Sequence, residues 1–347
     1  MFRLKGGVQR HFHGSSPLEQ QQIGWRSYLG KKSTCLVSFA IRLLLLAAKG
    51  RKMSNPQIPI IDTHVHFFDF SHPELKWVWL APDSQHPLIA NINAIKSQAF
   101  VVQDFRAESR FAGVEGVVHV QAAIGSPNPV TETVWLTEMN ETSPIPIRIV
   151  ADCDLGAADS ISQLEEHAKS KPFVGVRDFK AEPMFAAKEI NPKYEKSLKW
   201  MAEKQIVFDL DCEWMNMPEA RKLAERHPDL SIVLEHIGFP RERTDSYFQN
   251  WKTAIEGLAN AGNVTMKISG VAMTDPFFTK ESLKRWVDTC LDAFGPDRCV
   301  IGSNWPVDRL FSSYDPIMGY YREYISKLSI SEQERILNKN AVKLYKF

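Results

Sequence analysis

The sequence has 347 residues, a length at which an α/β barrel can form a single domain. Its formal net charge of +1 averages two unlike segments: residues 1–52 carry ten Lys/Arg and one acidic residue, and residues 53–347 carry 32 basic and 40 acidic ones. An acidic body of net charge −8 argues against nucleic acid as the natural partner.

The basic segment 1–52 shows no regular pattern before CLVSFAIRLLLLAA at 35–48, a stretch of 14 residues that contains Arg42. A membrane span needs about 20 apolar residues, so we expect no membrane partner. The segment is typical of a transit or signal peptide, or it is not native and the protein starts at Met53. We expect a cytoplasmic protein, or a mitochondrial one if residues 1–52 are a transit peptide.

Five cysteines, at positions 35, 153, 212, 290 and 299, form no C-x-x-C pair. This pattern favours buried thiols in a reducing compartment over a disulfide or zinc framework.

From residue 58 onward, apolar β-branched runs alternate with amphipathic stretches. The strand candidates are 58–66, 114–122, 145–154, 173–179, 205–212, 230–238, 263–270 and 298–305. Helical patterns lie between or after them, for example at 218–227, 245–262, 280–295, 315–328 and 330–345. Eight such units predict a (β/α)8 TIM barrel over residues 53–347, with a doubly wound sheet as the rival architecture.

Each strand candidate turns polar at alternate positions near its carboxyl end. The residues concerned are Asp62, His64, His66, His119, Gln121, Asp152, Asp154, Arg177, Asp209, Asp211, His236, Lys267, Ser269 and Asn304. A buried parallel strand is normally apolar on both faces. The polar ends therefore predict a shared mouth, which is where barrel enzymes keep their active sites.

The first strand contains Asp62-Thr63-His64-Val65-His66, in which His64 and His66 point the same way. Two such imidazoles can hold one divalent metal or one substrate oxyanion, although a purely structural pair is an equal alternative. His236, at the end of the sixth strand, is expected to lie at the same mouth.

The segments DTHVHFFD, EHIGFP, KISG and GSNWPVD occur in this order along residues 58–347. As a set they resemble the amidohydrolase superfamily, in particular its branch of sugar-lactone and dicarboxylate-lactone hydrolases. The resemblance implies a TIM barrel, hydrolysis at its C-terminal mouth, and catalytic or metal-binding roles for His64, His66 and His236.

Residue 304 departs from that resemblance, because the family usually has an aspartate there as metal ligand, base or both. An asparagine has no basic lone pair at neutral pH, but it can orient a water molecule or donate to an oxyanion. Asn304 could instead be a turn residue before Pro306. A different general base is then needed, and the candidates are Asp211 and the histidines.

Two cations, Arg177 and Lys267, also belong to the inward set. A buried cation needs a partner, which is either an internal acid such as Asp209 or a carboxylate on the substrate. The resemblance implies a substrate-binding role for the arginine. We assign substrate binding to Arg177, Lys267, Gln121 and Trp77, where Trp77 belongs to an aromatic loop at 66–87 that either stacks on substrate or covers the side of the barrel.

These observations predict a hydrolase that opens a lactone or a related cyclic ester or amide of a sugar acid or carboxylated substrate. One divalent metal such as zinc could be held by His64, His66 and His236, and the missing aspartate leaves metal dependence open. The alternatives are a metal-dependent decarboxylase of an aromatic acid and a non-catalytic sugar-acid-binding protein. The expected partner is a small molecule, and a homo-oligomer is compatible with the sequence.

Overall fold

The computed structural model describes residues 57–86, 89 and 92–347. The interpretations of residues 1–52 as a targeting or non-native segment lie outside the described residues.

Eight strands alternate with helices along the described chain, as the periodicity predicts. The strands are β1 (Ile60–Val65), β2 (Val114–Val120), β3 (Ile147–Asp152), β4 (Phe173–Arg177), β5 (Val207–Leu210), β6 (Ile232–Leu234), β7 (Val264–Ile268) and β8 (Cys299–Ile301). The α-helices are α1 (Val102–Ser109), α2 (Val130–Thr142), α3 (Ser160–His167), α4 (Ala181–Ala187), α5 (Pro192–Lys204), α6 (Met217–Arg226), α7 (Asp245–Ala259), α8 (Val271–Thr274), α9 (Lys280–Phe294), α10 (Tyr314–Ile325), α11 (Ile330–Glu334) and α12 (Asn340–Leu344).

The strands pair in parallel in the order β1 to β8. The chain after β8 returns to β1, where the backbone N–H of Asn304 donates to the carbonyl of His64 at 2.8 Å and that of His66 donates to Trp305 at 2.7 Å. The result is a nearly closed TIM barrel, which confirms the predicted fold and excludes the doubly wound sheet. Within the described residues, no helix has the length and apolar character needed to cross a membrane.

Two hydrophobic clusters stabilise the barrel. A valine-rich cluster includes Val118, Val150, Val207 and Val300, and it is completed by Tyr345 from the C-terminal segment. A larger cluster contains the other faces of the strands and the apolar faces of the helices. This layering leaves the carboxyl ends of the strands free to carry polar groups.

Two residues assigned to the inward polar set contact the helical layer instead. Asp62 accepts a hydrogen bond from the hydroxyl of Tyr314 on α10, and His119 lies 3.1 Å from Glu132 on α2. The pairing of β1 with β2 contains register shifts, so strict alternation does not hold along these strands.

The end of β6 turns sharply. His236, Ile237 and Phe239 have φ values of 53°, 50° and 48°, a left-handed conformation that is rare for residues other than glycine. The strand therefore ends at Leu234, earlier than the predicted 238. The turn allows the adjacent residues Glu235 and His236 both to contact His64.

Candidate active site at the mouth of the barrel

Glu235 is the centre of a buried polar network, and the sequence analysis did not identify it. Its carboxylate accepts a hydrogen bond from Arg177 at 3.0 Å, and it lies 3.2 Å from His64 and 3.5 Å from Lys267. The signal was an acidic residue inside the apolar run LSIVLEHIG, since a buried carboxylate must be paired. Burial alone would raise the pKa of Glu235, but Arg177, His64 and Lys267 hold it well below its ordinary value.

Lys267 is fully buried and forms ion pairs with Asp209 and Glu235. The hydroxyl of Tyr345 also donates to Asp209, at 2.9 Å. Lys267 does not line the cavity at the mouth, so the structure places it away from its assigned role in direct substrate contact. Its β7 position lies deeper in the barrel, where its charge balances buried acids.

The three histidines are brought together as predicted. The imidazole of His64 lies 4.8 Å from that of His66 and 4.3 Å from that of His236 between ring centroids. Burial lowers the pKa of His64 and of His66 well below the ordinary value, and it lowers the pKa of His236 to about 3. All three are therefore neutral at physiological pH. Each keeps a ring-nitrogen lone pair that can ligate a metal ion, but its low pKa makes it a weak base towards protons.

The hydrogen atoms available to His64 and His66 do not satisfy all their contacts. Nδ1 of His66 lies 2.8 Å from the carbonyl of Val120, which can only accept, so Nε2 of a neutral His66 carries a lone pair. Nε2 of His64 lies 3.1 Å from that atom, and Nδ1 of His64 lies 3.2 Å from Glu235. A neutral imidazole has one N–H, so one of these two contacts sets lone pair against lone pair unless a cation or an additional proton is present.

The donor set fits a metal ion. His64, Glu235 and His236 each offer one ligand atom, and these atoms lie within 4.8 Å of one another. Two imidazoles and a carboxylate are a ligand set that zinc uses in catalytic sites. The group contains Glu235 where the sequence analysis placed His66, because the turn after Leu234 directs both Glu235 and His236 towards His64.

A cavity of about 320 Å³ opens beside these residues at the C-terminal end of the barrel. It contains most of the predicted site: His66, Gln121, Arg177, Asp211, His236 and Asn304. The other lining residues are Trp79, His86, Ile89, Ala122, Ile124, Phe179, Phe239, Met273 and Val307. His64 lies next to the cavity through its contacts with His66 and His236.

Asp211 lines this cavity as an acid with an unusual affinity for its proton. Burial, assisted by the negative charge of Glu235 and opposed by Arg177, raises the pKa of Asp211 to about 8. A carboxyl group with a pKa near the working pH can both accept and release a proton.

Asn304 is fixed by a second acid that the sequence analysis did not identify. Its side-chain N–H donates to Asp308 at 2.8 Å, and its backbone has a φ of 59°. Burial raises the pKa of Asp308 to about 7, while the hydrogen bond from Asn304 opposes that rise. Asp308 lies in the quoted GSNWPVD motif, but four residues of irregular chain hid its contact with residue 304.

Arg177 lines the cavity with its charge already balanced. One terminal nitrogen donates to Glu235 and the other donates to the backbone carbonyl of Gln121 at 2.8 Å. Its guanidinium also stacks over Phe179, 4.5 Å from the ring centroid.

Trp77 lies away from the cavity, whereas Trp79 lines it. Trp77 packs against Phe70 and Trp135, with ring centroids 6.0 and 5.9 Å away. The indole N–H of Trp79 donates to the carbonyl of Ala122 at 2.8 Å, which fixes its ring at the mouth. Trp77 precedes the 3-10 turn at Val78–Leu80 and Trp79 lies within it, a difference that residue type alone could not reveal.

Comparison with known proteins agrees with this geometry. A family model described as "Amidohydrolase" matches residues 61–347. The chain is 31% identical over 297 residues to an uncharacterised protein of Sinorhizobium fredii, covering 83% of this chain and 99% of that one. It is 24% identical over 306 residues to an L-fucono-1,5-lactonase of Burkholderia multivorans, covering 82% and 95%.

Solved structures show the same fold. A Burkholderia multivorans amidohydrolase with bound zinc superposes with a TM-score of 0.71 at 22% identity, covering 83% of this chain and 99% of that one. A probable 2-pyrone-4,6-dicarboxylic acid hydrolase of Acinetobacter baumannii gives 0.61 at 17%, covering 83% and 99%. A 2,6-dihydroxybenzoate decarboxylase gives 0.54 at 15%, covering 83% and 98%.

Proposed function

The chain belongs to the amidohydrolase family, and from this premise we propose that it hydrolyses the cyclic ester of a sugar lactone. The observation that carries the proposal is the cavity at the mouth, where the proton-holding Asp211, neutral imidazoles and two amides surround a space of about 320 Å³. This volume is near the lower end of the roughly 300–1,000 Å³ of small-molecule pockets.

In this proposal Asp211 handles the proton. Its carboxylate accepts a proton from the attacking water and then returns it to the ring oxygen that leaves as the lactone opens. The raised pKa of Asp211, about 8, suits both halves of this transfer. The histidines are too weakly basic for this role, since burial lowers the pKa of His236 to about 3.

Asn304 orients the water in this proposal. One of its two amide N–H bonds donates to Asp308, and its carbonyl oxygen can accept a hydrogen bond from water. The proposal therefore gives Asn304 the role of orienting water, while its second N–H keeps donation to an oxyanion as the other role that the sequence leaves open. Arg177 supports Glu235 and the backbone of Gln121, and so positions groups on both sides of the cavity.

His64, Glu235 and His236 would hold a zinc ion, which when bound supplies Lewis-acid polarisation of an oxygen at the mouth. The zinc-containing neighbour supports the metal's identity.

A pH-indicator assay tests the proposal. The zinc-supplemented protein is incubated with a panel of lactones that includes L-fucono-1,5-lactone, and NMR identifies the acid formed. We expect acid release by the wild type and at least a hundredfold loss in Asp211→Asn, which keeps the shape of the side chain but accepts no proton.

Three outcomes would contradict the proposal. Full activity of Asp211→Asn would exclude Asp211 as the base. Failure to open any lactone, combined with release of carbon dioxide from 2,6-dihydroxybenzoate, would favour a decarboxylase; binding of sugar acids without any turnover would favour the non-catalytic alternative. The charge of Arg177 is balanced by Glu235, so no free lysine or arginine is found among the described residues that line the cavity, and an aromatic carboxylate would depend on the proposed metal ion for its counter-charge.

A further inference from the structure

Gln121 places an unpaired amide at the cavity. Its side chain is 1% exposed, and neither its nitrogen nor its oxygen has a hydrogen-bond partner among the described residues. A buried polar group without a partner is costly, so such a group at a cavity indicates where a ligand supplies the missing bonds.

The backbone holds Gln121 in place on both sides. Its N–H donates to the carbonyl of Val150 at 2.8 Å, and its carbonyl accepts from Arg177 at 2.8 Å. The backbone is therefore fixed without help from the side chain, and the amide is left free to bind another molecule. An amide donates through its NH2 group and accepts through its oxygen, which matches two neighbouring hydroxyl groups.

The charge of the cavity favours an uncharged ligand. Arg177 is the one lysine or arginine among the described residues that line it, and Glu235 balances its charge. Lys267 is deeper in the barrel and is paired with Asp209. A substrate carboxylate would thus find no free lysine or arginine at the described wall, would face the acid Asp211, and would have only the proposed metal ion as its counter-charge.

The remaining wall is aromatic. Trp79, Phe179 and Phe239 line the cavity, and aromatic rings at a binding site can pack against the apolar C–H face of a sugar ring. Amide, aromatic faces and balanced charge together suit a polyhydroxylated ring more closely than a dicarboxylated one.

We propose that Gln121 is the specificity-determining residue of this site and that its amide binds adjacent hydroxyl groups of an uncharged lactone. This inference rests on the proposed lactone hydrolysis. It goes further by assigning selection for hydroxyl groups to one side chain that takes no part in moving the proton.

The test compares L-fucono-1,5-lactone with δ-valerolactone, which has the same ring size and no hydroxyl groups. In Gln121→Met, a side chain of similar length has no amide. We expect the ratio of kcat/KM for the two lactones to fall at least tenfold from its wild-type value, with kcat/KM for δ-valerolactone within threefold of wild type. Ile124→Val, which changes the same wall without a polar group, is the control and should keep the wild-type ratio.

A binding measurement separates this inference from the proposed function. Calorimetry with the lactam of L-fuconic acid and with δ-valerolactam measures binding directly, and NMR of each sample checks that the lactam ring stays closed. Tighter binding of the hydroxylated lactam by the wild type, lost in Gln121→Met, would support the inference even if no lactone were hydrolysed.

Two results would overturn it: an unchanged ratio in Gln121→Met, including an equal loss of kcat/KM on both lactones, or a wild-type preference for 2-pyrone-4,6-dicarboxylic acid. Melting temperatures of both variants confirm that the barrel is folded in each measurement.

Discussion

Residue 304 shows how one side chain changes the demands on its neighbours. Asn304 gives its amide N–H to Asp308, a buried acid whose pKa is raised to about 7. A carboxylate at position 304 would confront Asp308 with a like charge at 2.8 Å. The asparagine therefore suits the acid four residues later, and the proposed function assigns the proton transfer to Asp211 instead.

The raised pKa of Asp308 predicts a pH dependence of stability. The unfolded chain releases this proton near pH 4, whereas the folded chain keeps it until about pH 7, so unfolding releases a proton between these values. The contribution of Asp308 to the free energy of unfolding therefore falls as pH rises from 4 to 7, by roughly 1 kcal/mol per pH unit.

Asp308→Asn removes this titration and keeps an acceptor for Asn304. In urea unfolding of both proteins at pH 5, 6 and 7, the free energy of unfolding of the variant should increase relative to that of the wild type as pH rises. A constant difference across the three pH values would show that Asp308 titrates normally.

Asp211 predicts a pH dependence of activity with the opposite direction. A general base works only when deprotonated, so kcat/KM should rise about tenfold per pH unit below pH 8 and level off above it. In Asp211→Asn the activity should be low, and the residual kcat/KM should no longer rise with pH below pH 8. A wild-type profile that is flat from pH 6 to 9 would contradict the assignment.

At the scale of elements, the eight βα units were readable from the sequence because strand and helix periodicities differ. The ends of the strands were harder to predict. The run 230–238 reads as one continuous strand, yet His236, Ile237 and Phe239 adopt left-handed conformations that side chains other than glycine rarely take. That turn brings Glu235 into the site, which explains why His236 was found from its residue type and Glu235 was missed.

Gly270, after β7, leaves the space in which the imidazole of His236 lies. It has a φ of 59°, and an added Cβ atom would overlap the imidazole of His236. That ring lies 2.9 Å from the hydroxyl of Ser269, so Gly270→Ala should displace it and break this contact. We expect at least a tenfold loss of the proposed lactonase activity and a loss of stability of about 1–3 kcal/mol.

The matched control is Gly257→Ala within α7, where an added Cβ meets nothing within 4 Å. It should leave activity unchanged and raise stability by about 0.5–1 kcal/mol, because alanine favours helix. Equal activity of the two variants would show that the position of His236 tolerates the substitution at residue 270.

At the scale of the whole molecule, a series of buried polar contacts connects the C-terminal segment to the candidate active site. Tyr345 near the C-terminus donates to Asp209, Asp209 pairs with Lys267, and Lys267 lies 3.5 Å from Glu235. The sequence offered Asp209 as an internal partner for a buried cation, but it could not show that the chain of contacts continues to His64, since that depends on how distant strands meet. Folding and site formation are therefore physically linked.

This link predicts that a metal ion stabilises the entire barrel. A ligand that binds only the folded state adds about 2.7 kcal/mol at a concentration one hundred times its Kd. Zinc chloride added to chelator-treated protein should raise Tm by several degrees.

His236→Ala should lack the shift, since it removes one of the three grouped donors. His86→Ala, which alters the cavity wall outside that group, should retain it. An equal zinc-dependent shift in both variants would mean that the ion binds elsewhere, and the pairing of His64 with Glu235 would then be balanced by a proton.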